Sequence, residues 1–410
     1  MFHPGINLLL VLILIVIFIR CGIQLGWAMG LAGIALGLLF KVPVAGFWDT
    51  LTAAVLSRTF IQLGIALNMI MFLENILRKR GYLSRITRSL RHLIPNPKIN
   101  IMLLPAFLGL LPSPGGAMFS APLVTEAGHG LEMSSETKSM VNYWFRHIWE
   151  YSIPLYPGII LGSQILKIPV GRITLIMAFF SLLSVIVGYL CIIRRIKRLE
   201  SETPTVAEKY DSRRTALWEL LRGIWPVMVI VGCVLFFQWD VGLTVIAVIL
   251  LLLILNRYRG SELKTLWQES FKISLVILIV GILFFKEMMV TTGVVTWLPE
   301  FLKSFGIPGF LVVSLVTFLV GFSVGISQGY VAATFPLLIG IIGSGQGVHP
   351  GMLILAYVSG FVGVMLTPLH LCMLLTVEHF KANVLRFYRQ LLFPQSIMCL
   401  AAFAAAWLWK

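Results

Sequence analysis

The stretch GLLPSPGGAMFSAPLV, residues 109–124, interrupts an apolar run with the pentad PSPGG. A second stretch, GISQGYVAATFPLL at 325–338, is broken in the same way at Ser-Gln-Gly. Laid on itself at an offset of 214 residues, without a gap, the chain superposes the two: Ser113 meets Ser327, Gly115 meets Gly329, Pro122 meets Pro336 and Leu123 meets Leu337. Further on, Tyr143 meets Tyr357, Pro154 meets Pro368 and Leu155 meets Leu369. Seven identities in the 43 positions from Ser113 to Leu155 are few, but they gather at the residues that break apolar runs. Paired interruptions in two halves of a membrane chain point to a binding site near the bilayer midplane.

Composition sets the class. The chain is 58% hydrophobic and 12% charged, with a mean hydropathy of +0.93, which no water-soluble globule of 410 residues matches. The net charge of +15 would suggest nucleic acid in a soluble protein. Here the basic residues lie in loops between apolar runs and read as topology signals, so no nucleic-acid partner is expected. Cys21, Cys191, Cys233, Cys372 and Cys399 are scattered singly, which supports neither a disulfide framework nor a metal site. The opening segment lacks a basic flank and a small-residue cleavage site and reads as a retained helix.

A spanning helix needs about 20 apolar residues. Candidates lie at 4–19, 23–40, 59–77, 173–193, 223–239, 241–255, 273–291 and 391–409, with two more at 137–166 and 350–377 broken by Pro154/Pro157 and Pro368. The apolar stretches 99–127 and 308–343 have arms too short to cross and read as re-entrant hairpins. With Arg78–Lys98 placed in the cytoplasm, 24 of the 32 Lys/Arg fall inside and six outside, leaving Arg146 and Lys286 within the membrane. The expected fold is therefore an all-α integral membrane protein of two inverted repeats. Each has five crossings and one hairpin, with helices broken at mid-membrane and both termini outside. YLSRITRSLRHLIP (82–95) and VVTWLPEFLKSFGIP (294–308) read as interfacial helices that lead into the hairpins.

Backbone broken inside a bilayer is tolerated only around a protein-lined cavity. The second arm of each hairpin, and the half-helix after each proline break, would aim its N-terminal N–H groups at that cavity and favour an anion. The preceding half-helices would end there with unpaired carbonyls suited to Na⁺ or to bound protons. Candidate ligand contacts are Ser113, Gly115, Gly116, Ser152, Ser327, Gln328, Gly329 and Thr367, with Ser120 and Thr334 as further neutral oxygens. Among ionisable groups, Arg146, His147 and Glu150 lie deep in one spanning segment, and His370 follows Pro368 in the other half. A charge at that depth costs at least about 2.5–3.5 kcal/mol. Arg146 is the candidate anion ligand, and His147, Glu150 and His370 are the candidates for a proton or coupling ion. The alternative is that Arg146 and Glu150, four residues apart on one helical face, neutralise each other.

The motif at Gly109–Val124, together with the ten crossings, resembles the prokaryotic family catalogued as domain of unknown function 401, grouped with the ion-transporter superfamily. The resemblance implies a carrier in the cytoplasmic (inner) membrane of a prokaryote, often a homodimer, moving a small organic anion with Na⁺ or H⁺ as coupling ion and no other cofactor. It also implies a scaffold formed by residues 1–98 and 223–307 and a mobile transport domain formed by 99–193 and 308–410, joined by a cytoplasmic linker at 194–222. Dicarboxylate carriers of that superfamily carry Ser-Asn-Thr at both hairpin tips. Ser113-Pro114-Gly115 and Ser327-Gln328-Gly329 depart from that pattern, so neither Na⁺ nor a dicarboxylate transfers to this chain. A rival from another class is an intramembrane enzyme or lipid-handling protein using His147-x-x-Glu150. That spacing is half of a metal site, with no second His/carboxylate cluster in the sequence.

Overall fold

A computed structural model describes residues 4–112, 116–199, 210, 212–304 and 306–409. The chain is almost wholly helical. The first half runs α1 (Pro4–Arg20), α2 (Leu25–Leu39), α3 (Val44–Val55), α4 (Arg58–Lys79), α5 (Tyr82–Leu93), α6 (Pro97–Leu108), α7 (Ala117–Ala127), α8 (Ser135–Arg146), α9 (Pro157–Leu166) and α10 (Val170–Cys191). The second half runs α11 (Arg213–Phe236), α12 (Val241–Leu255), α13 (Gly260–Ser270), α14 (Ile273–Thr291), α15 (Val294–Ser304), α16 (Gly309–Val324), α17 (Ser327–Ile342), α18 (Pro350–Leu366), α19 (Leu371–Phe380) and α20 (Val384–Leu408). A short antiparallel pair joins Leu131–Glu132 to Lys197–Arg198.

The two lists correspond one to one. Pro157 and Leu371 open α9 and α19, Val170 and Val384 open α10 and α20, and both pairs stand 214 residues apart. Lys167 and Lys381, at the same offset, end α9 and α19 with φ of 54° and 51°. Left-handed lysines are uncommon, so two at equivalent helix ends mark a repeated stop. Packing is reciprocal as well: α2 lies on α14 and α12 on α4, while α7 lies on α19 and α17 on α9.

Local chemistry explains the helix boundaries. Ser57, Asp240 and Asn383 accept hydrogen bonds from the backbone N–H of Phe60, Leu243 and Arg386, capping α4, α12 and α20. Each such cap is worth about 1 kcal/mol. Between helices, small residues admit close approach. A β-carbon on Gly26 of α2 would strike the backbone of α14, and one on Gly321 of α16 would strike the Gly360 carbonyl of α18. In a bilayer, where apolar side chains gain little by leaving lipid, that packing is what holds helices together. Outward faces carry exposed Leu9, Ile13 and Ile17 on α1 and Leu175, Phe179 and Leu182 on α10, as lipid contact requires.

Among the described residues, six helical stretches are long and apolar enough to cross a bilayer. The helices α1, α2 and α12, with 17, 15 and 15 residues, are shorter, and at 1.5 Å per residue they extend roughly 22–25 Å. This is a nearly all-helical integral membrane protein. Three boundaries differ from the sequence reading. α11 begins ten residues before the expected 223, and α20 seven before the expected 391. The break expected at Pro154/Pro157 opens much earlier, because α8 stops at Arg146 and a 3₁₀ turn over Ile148–Tyr151 follows. The short helices α3 and α13 occupy segments that read as loops. Polar residues, Asp49, Thr50 and Thr52 in α3 and Ser261, Glu262 and Lys264 in α13, obscure their apolar stripes.

Candidate functional site

The break between α8 and α9 meets the facing ends of α6 and α7, and the break between α18 and α19 meets the end of α16. At the first break, His147 is the C-cap of α8 and Glu150 lies in the 3₁₀ turn. At the second, Thr367 caps α18 and His370 precedes α19. Two tyrosines at the repeat offset tie the halves together: the Tyr143 hydroxyl donates to the Met365 carbonyl at 3.0 Å, and Tyr357 to the Glu150 carbonyl at 3.0 Å. Each reaches into the other half's break.

The carbonyls expected to be unpaired are bonded by side chains. Arg146 Nη1 donates to the Leu108 carbonyl at 3.3 Å, Trp149 Nε1 to that of Ala106 at 2.8 Å, and the Tyr156 hydroxyl to that of Gly109. His370 Nδ1 meets the Gly325 carbonyl at 2.7 Å. A buried acceptor without water must find a donor in the protein, and these helix ends have found theirs.

Arg146, 4% exposed, lies between the end of α6 and the start of α7. A β-carbon on Gly116 would fall on its guanidinium. Beside it a cavity of about 520 Å³ runs outward between α5 and α7, within the size range of small-ligand sites. Its wall carries Arg78, Arg88, Arg91 and Arg146 against Glu74 and Glu126, an excess of cationic groups. At the outer end Arg91 donates to both carboxylate oxygens of Glu126, one at 2.6 Å. That bond holds the Glu126 carboxyl below the ordinary carboxylate range.

The other expected contacts are placed unevenly. Ser113 and Gly115 lie outside the described residues. Ser327, Gln328 and Gly329 form the first turn of α17, with Ser327 and Gly329 buried. The Ser327 hydroxyl donates to Gln328 Oε1 at 3.5 Å. Gly329 faces its own hairpin, where a β-carbon would strike Val324. Ser152 is paired with Ser181 at 2.7 Å, and the Thr367 hydroxyl accepts from the Leu369 N–H at 3.2 Å. Ser120 and Thr334 bond back to carbonyls of their own helices. Because α8 ends at Arg146, Arg146 and Glu150 do not share one α-helical face. Glu150 instead approaches His147, with Oε1 3.7 Å from Nε2.

His147 and His370, 223 residues apart, meet with Nε2 to Nε2 at 3.0 Å. Cys372 completes a buried group whose ligand atoms all lie within 4.8 Å of one another, and these three side chains could hold a metal ion. Sequence spacing did not show this cluster, since His147 is remote from the other two. The one local signal was His370-x-Cys372, which places two ligand types at the mouth of a half-helix.

Among curated proteins nothing matches this sequence. In fold the chain is similar to the crystal structure of the YdaH transporter from Alcanivorax borkumensis, described as having an unusual topology. The TM-score is 0.60 at 13% identity, with 90% of this chain and 89% of that one covered. By sequence, the profile of the family "Protein of unknown function (DUF401)" matches residues 5–408, and the chain belongs to that family.

Proposed function

We propose that the protein is a secondary active transporter that moves a small organic anion across the membrane by alternating access of elevator type. The observation that carries this reading is the arginine-rich cavity that leads to buried Arg146 at a helix break. An anion entering it meets guanidinium groups along the way and a cation fixed against a hairpin turn at its end, where low dielectric strengthens the attraction. The resemblance in fold to a protein described as a transporter supports the class. A coupling ion, H⁺ or Na⁺, is assigned to His147, Glu150 and His370, and the bonded carbonyls favour H⁺.

In this reading residues 1–98 and 223–307 are the scaffold, and 99–193 with 308–410 form the moving body, joined by the linker at 194–222. The α6–α7 and α16–α17 hairpins are re-entrant from opposite faces, and the chain sits as a homodimer in the inner membrane of a prokaryote with both termini outside. The cavity mouth at Arg88 and Arg91 is then cytoplasmic, which makes this conformation inward-facing. No catalytic chemistry is assigned to the His147/Glu150 pair.

The test is thermal stabilisation of the purified protein by a panel of small organic anions, with and without Na⁺, across the imidazole range of about pH 5.5 to 8. Stabilisation by one anion class, lost in Arg146→Gln, is the expected result. A panel in which cations or neutral solutes stabilise, and anions do not, would refute the reading.

A further inference from the structure

The cluster at the break implies more than a place for a coupling proton. The Nδ1 of His147 lies 2.6 Å from the Tyr143 carbonyl, and the Nδ1 of His370 lies 2.7 Å from the Gly325 carbonyl. A carbonyl only accepts, so both Nδ1 atoms carry hydrogen. In the neutral imidazoles both Nε2 atoms are then bare lone pairs, and they face each other at 3.0 Å. Two lone pairs at that distance repel unless an electron-pair acceptor sits with them. Either one proton is shared or a cation is bound.

The third donor decides between them. Cys372 lies beside the two imidazoles, its sulfur within 4.8 Å of their ligand nitrogens, and the three residues are 2%, 6% and 9% exposed. A shared proton uses two of the three donors. A cation uses all three, and a backbone carbonyl on the second nitrogen is the usual way a metal-binding histidine is held in its tautomer. Two imidazoles and a thiolate suit a zinc-type ion. Bond lengths near 2.0 and 2.3 Å in a tetrahedron separate such ligands by roughly 3.3–3.6 Å; here the two imidazole nitrogens are 3.0 Å apart and all three donor atoms lie within 4.8 Å of one another. A divalent ion would be met by two negative groups, the Cys372 thiolate and Glu150, whose carboxylate lies 3.7 Å from His147.

We propose that His147 Nε2, His370 Nε2 and the Cys372 thiolate bind one divalent transition-metal ion of zinc type, bridging the helix breaks of the two halves. The thiol proton leaves on binding, so affinity rises with pH. The site does not depend on which solute is moved.

The experiment uses the full chain in detergent, stripped by a chelator and titrated with Co²⁺. One equivalent should bind, giving the intense near-ultraviolet thiolate-to-cobalt band and the visible bands of a four-coordinate ion, and one equivalent of Zn²⁺ should abolish both. Cys372→Ser, nearly isosteric, should keep the fold and lose the thiolate band. His147→Ala and His370→Ala should each weaken binding by about tenfold or more. Absence of the thiolate band, or its persistence in Cys372→Ser, overturns the proposal. So does a chain that binds neither ion, in which case the imidazoles share a proton. Anion stabilisation measured on the same samples reports separately on Arg146, so failure of one reading leaves the other standing.

Discussion

The guanidinium of Arg146 occupies the space that a β-carbon on Gly116 would fill. The glycine adopts ordinary right-handed helical angles, φ −58° and ψ −15°, so unusual backbone geometry does not account for it. What accounts for it is room: only hydrogen on Cα lets a cation lie against the start of α7. There the N-terminal end of the α7 dipole and the side-chain charge both present positive potential to the cavity.

Gly116→Val should therefore displace Arg146 and weaken anion binding by at least tenfold, about 1.4 kcal/mol. Gly116→Ala should give a smaller loss. The measurement is anion-dependent thermal stabilisation of each variant. Parental binding in Gly116→Val would show that the cavity's inner end is not the site.

The reciprocal bonds from Tyr143 to Met365 and from Tyr357 to Glu150 join the two halves at equivalent points. Either Phe substitution leaves a buried carbonyl without its donor, at about 1–3 kcal/mol. Tyr143→Phe and Tyr357→Phe should lower thermal stability by similar amounts. If one is costly and the other neutral, the equivalence of the breaks is only topological.

Much of this arrangement was legible in the chain, because glycine and proline fix backbone breaks locally. Pro157 opens α9, and Gly325 turns the second hairpin at φ 74°. Apolar run length placed most helices for the same local reason. What the residues could not announce was pairing at long range. That Tyr156 would bond Gly109, or that His147 would meet His370, depends on how separated segments stack, and no periodicity encodes it. The same limit explains why Ser152 looked like a ligand contact: its partner Ser181 lies a helix away. Helices α3 and α13 escaped notice for a different reason, since polar residues fill the windows that a spanning-length search reads.

The orientation of the hairpins can be read by labelling. Gly130 and Gly345 have φ of 78° and 57°, so cysteine is better placed on their exposed neighbours His129 and Gln346. In a chain whose exposed Cys21 is serine, His129→Cys should react with an impermeant thiol reagent only from the cytoplasmic side, and Gln346→Cys only from outside. Labelling of both from one side would rule out inversion of the second half.

The sharpest division lies between Arg146 as a ligand for the transported anion and Arg146 as a partner for Glu150. Removing either residue alone leaves the other charge buried and should destabilise the protein. The double variant Arg146→Gln with Glu150→Gln removes both charges and keeps an amide donor for the Leu108 carbonyl, which Arg146 now bonds at 3.3 Å. Its thermal stability in the absence of ligand should return to within about 1 kcal/mol of the parent. If the pair is purely structural, transport returns with it. If Arg146 holds the anion, none of the other arginines described along the cavity replaces it, because Arg78 and Arg88 are exposed and Arg91 is engaged with Glu126 at the mouth. The expected double variant is folded, binds metal at His147, His370 and Cys372 as the parent does, and neither binds nor moves the anion. A stable double variant with parental transport would remove Arg146 from the site and leave the cavity without its ligand.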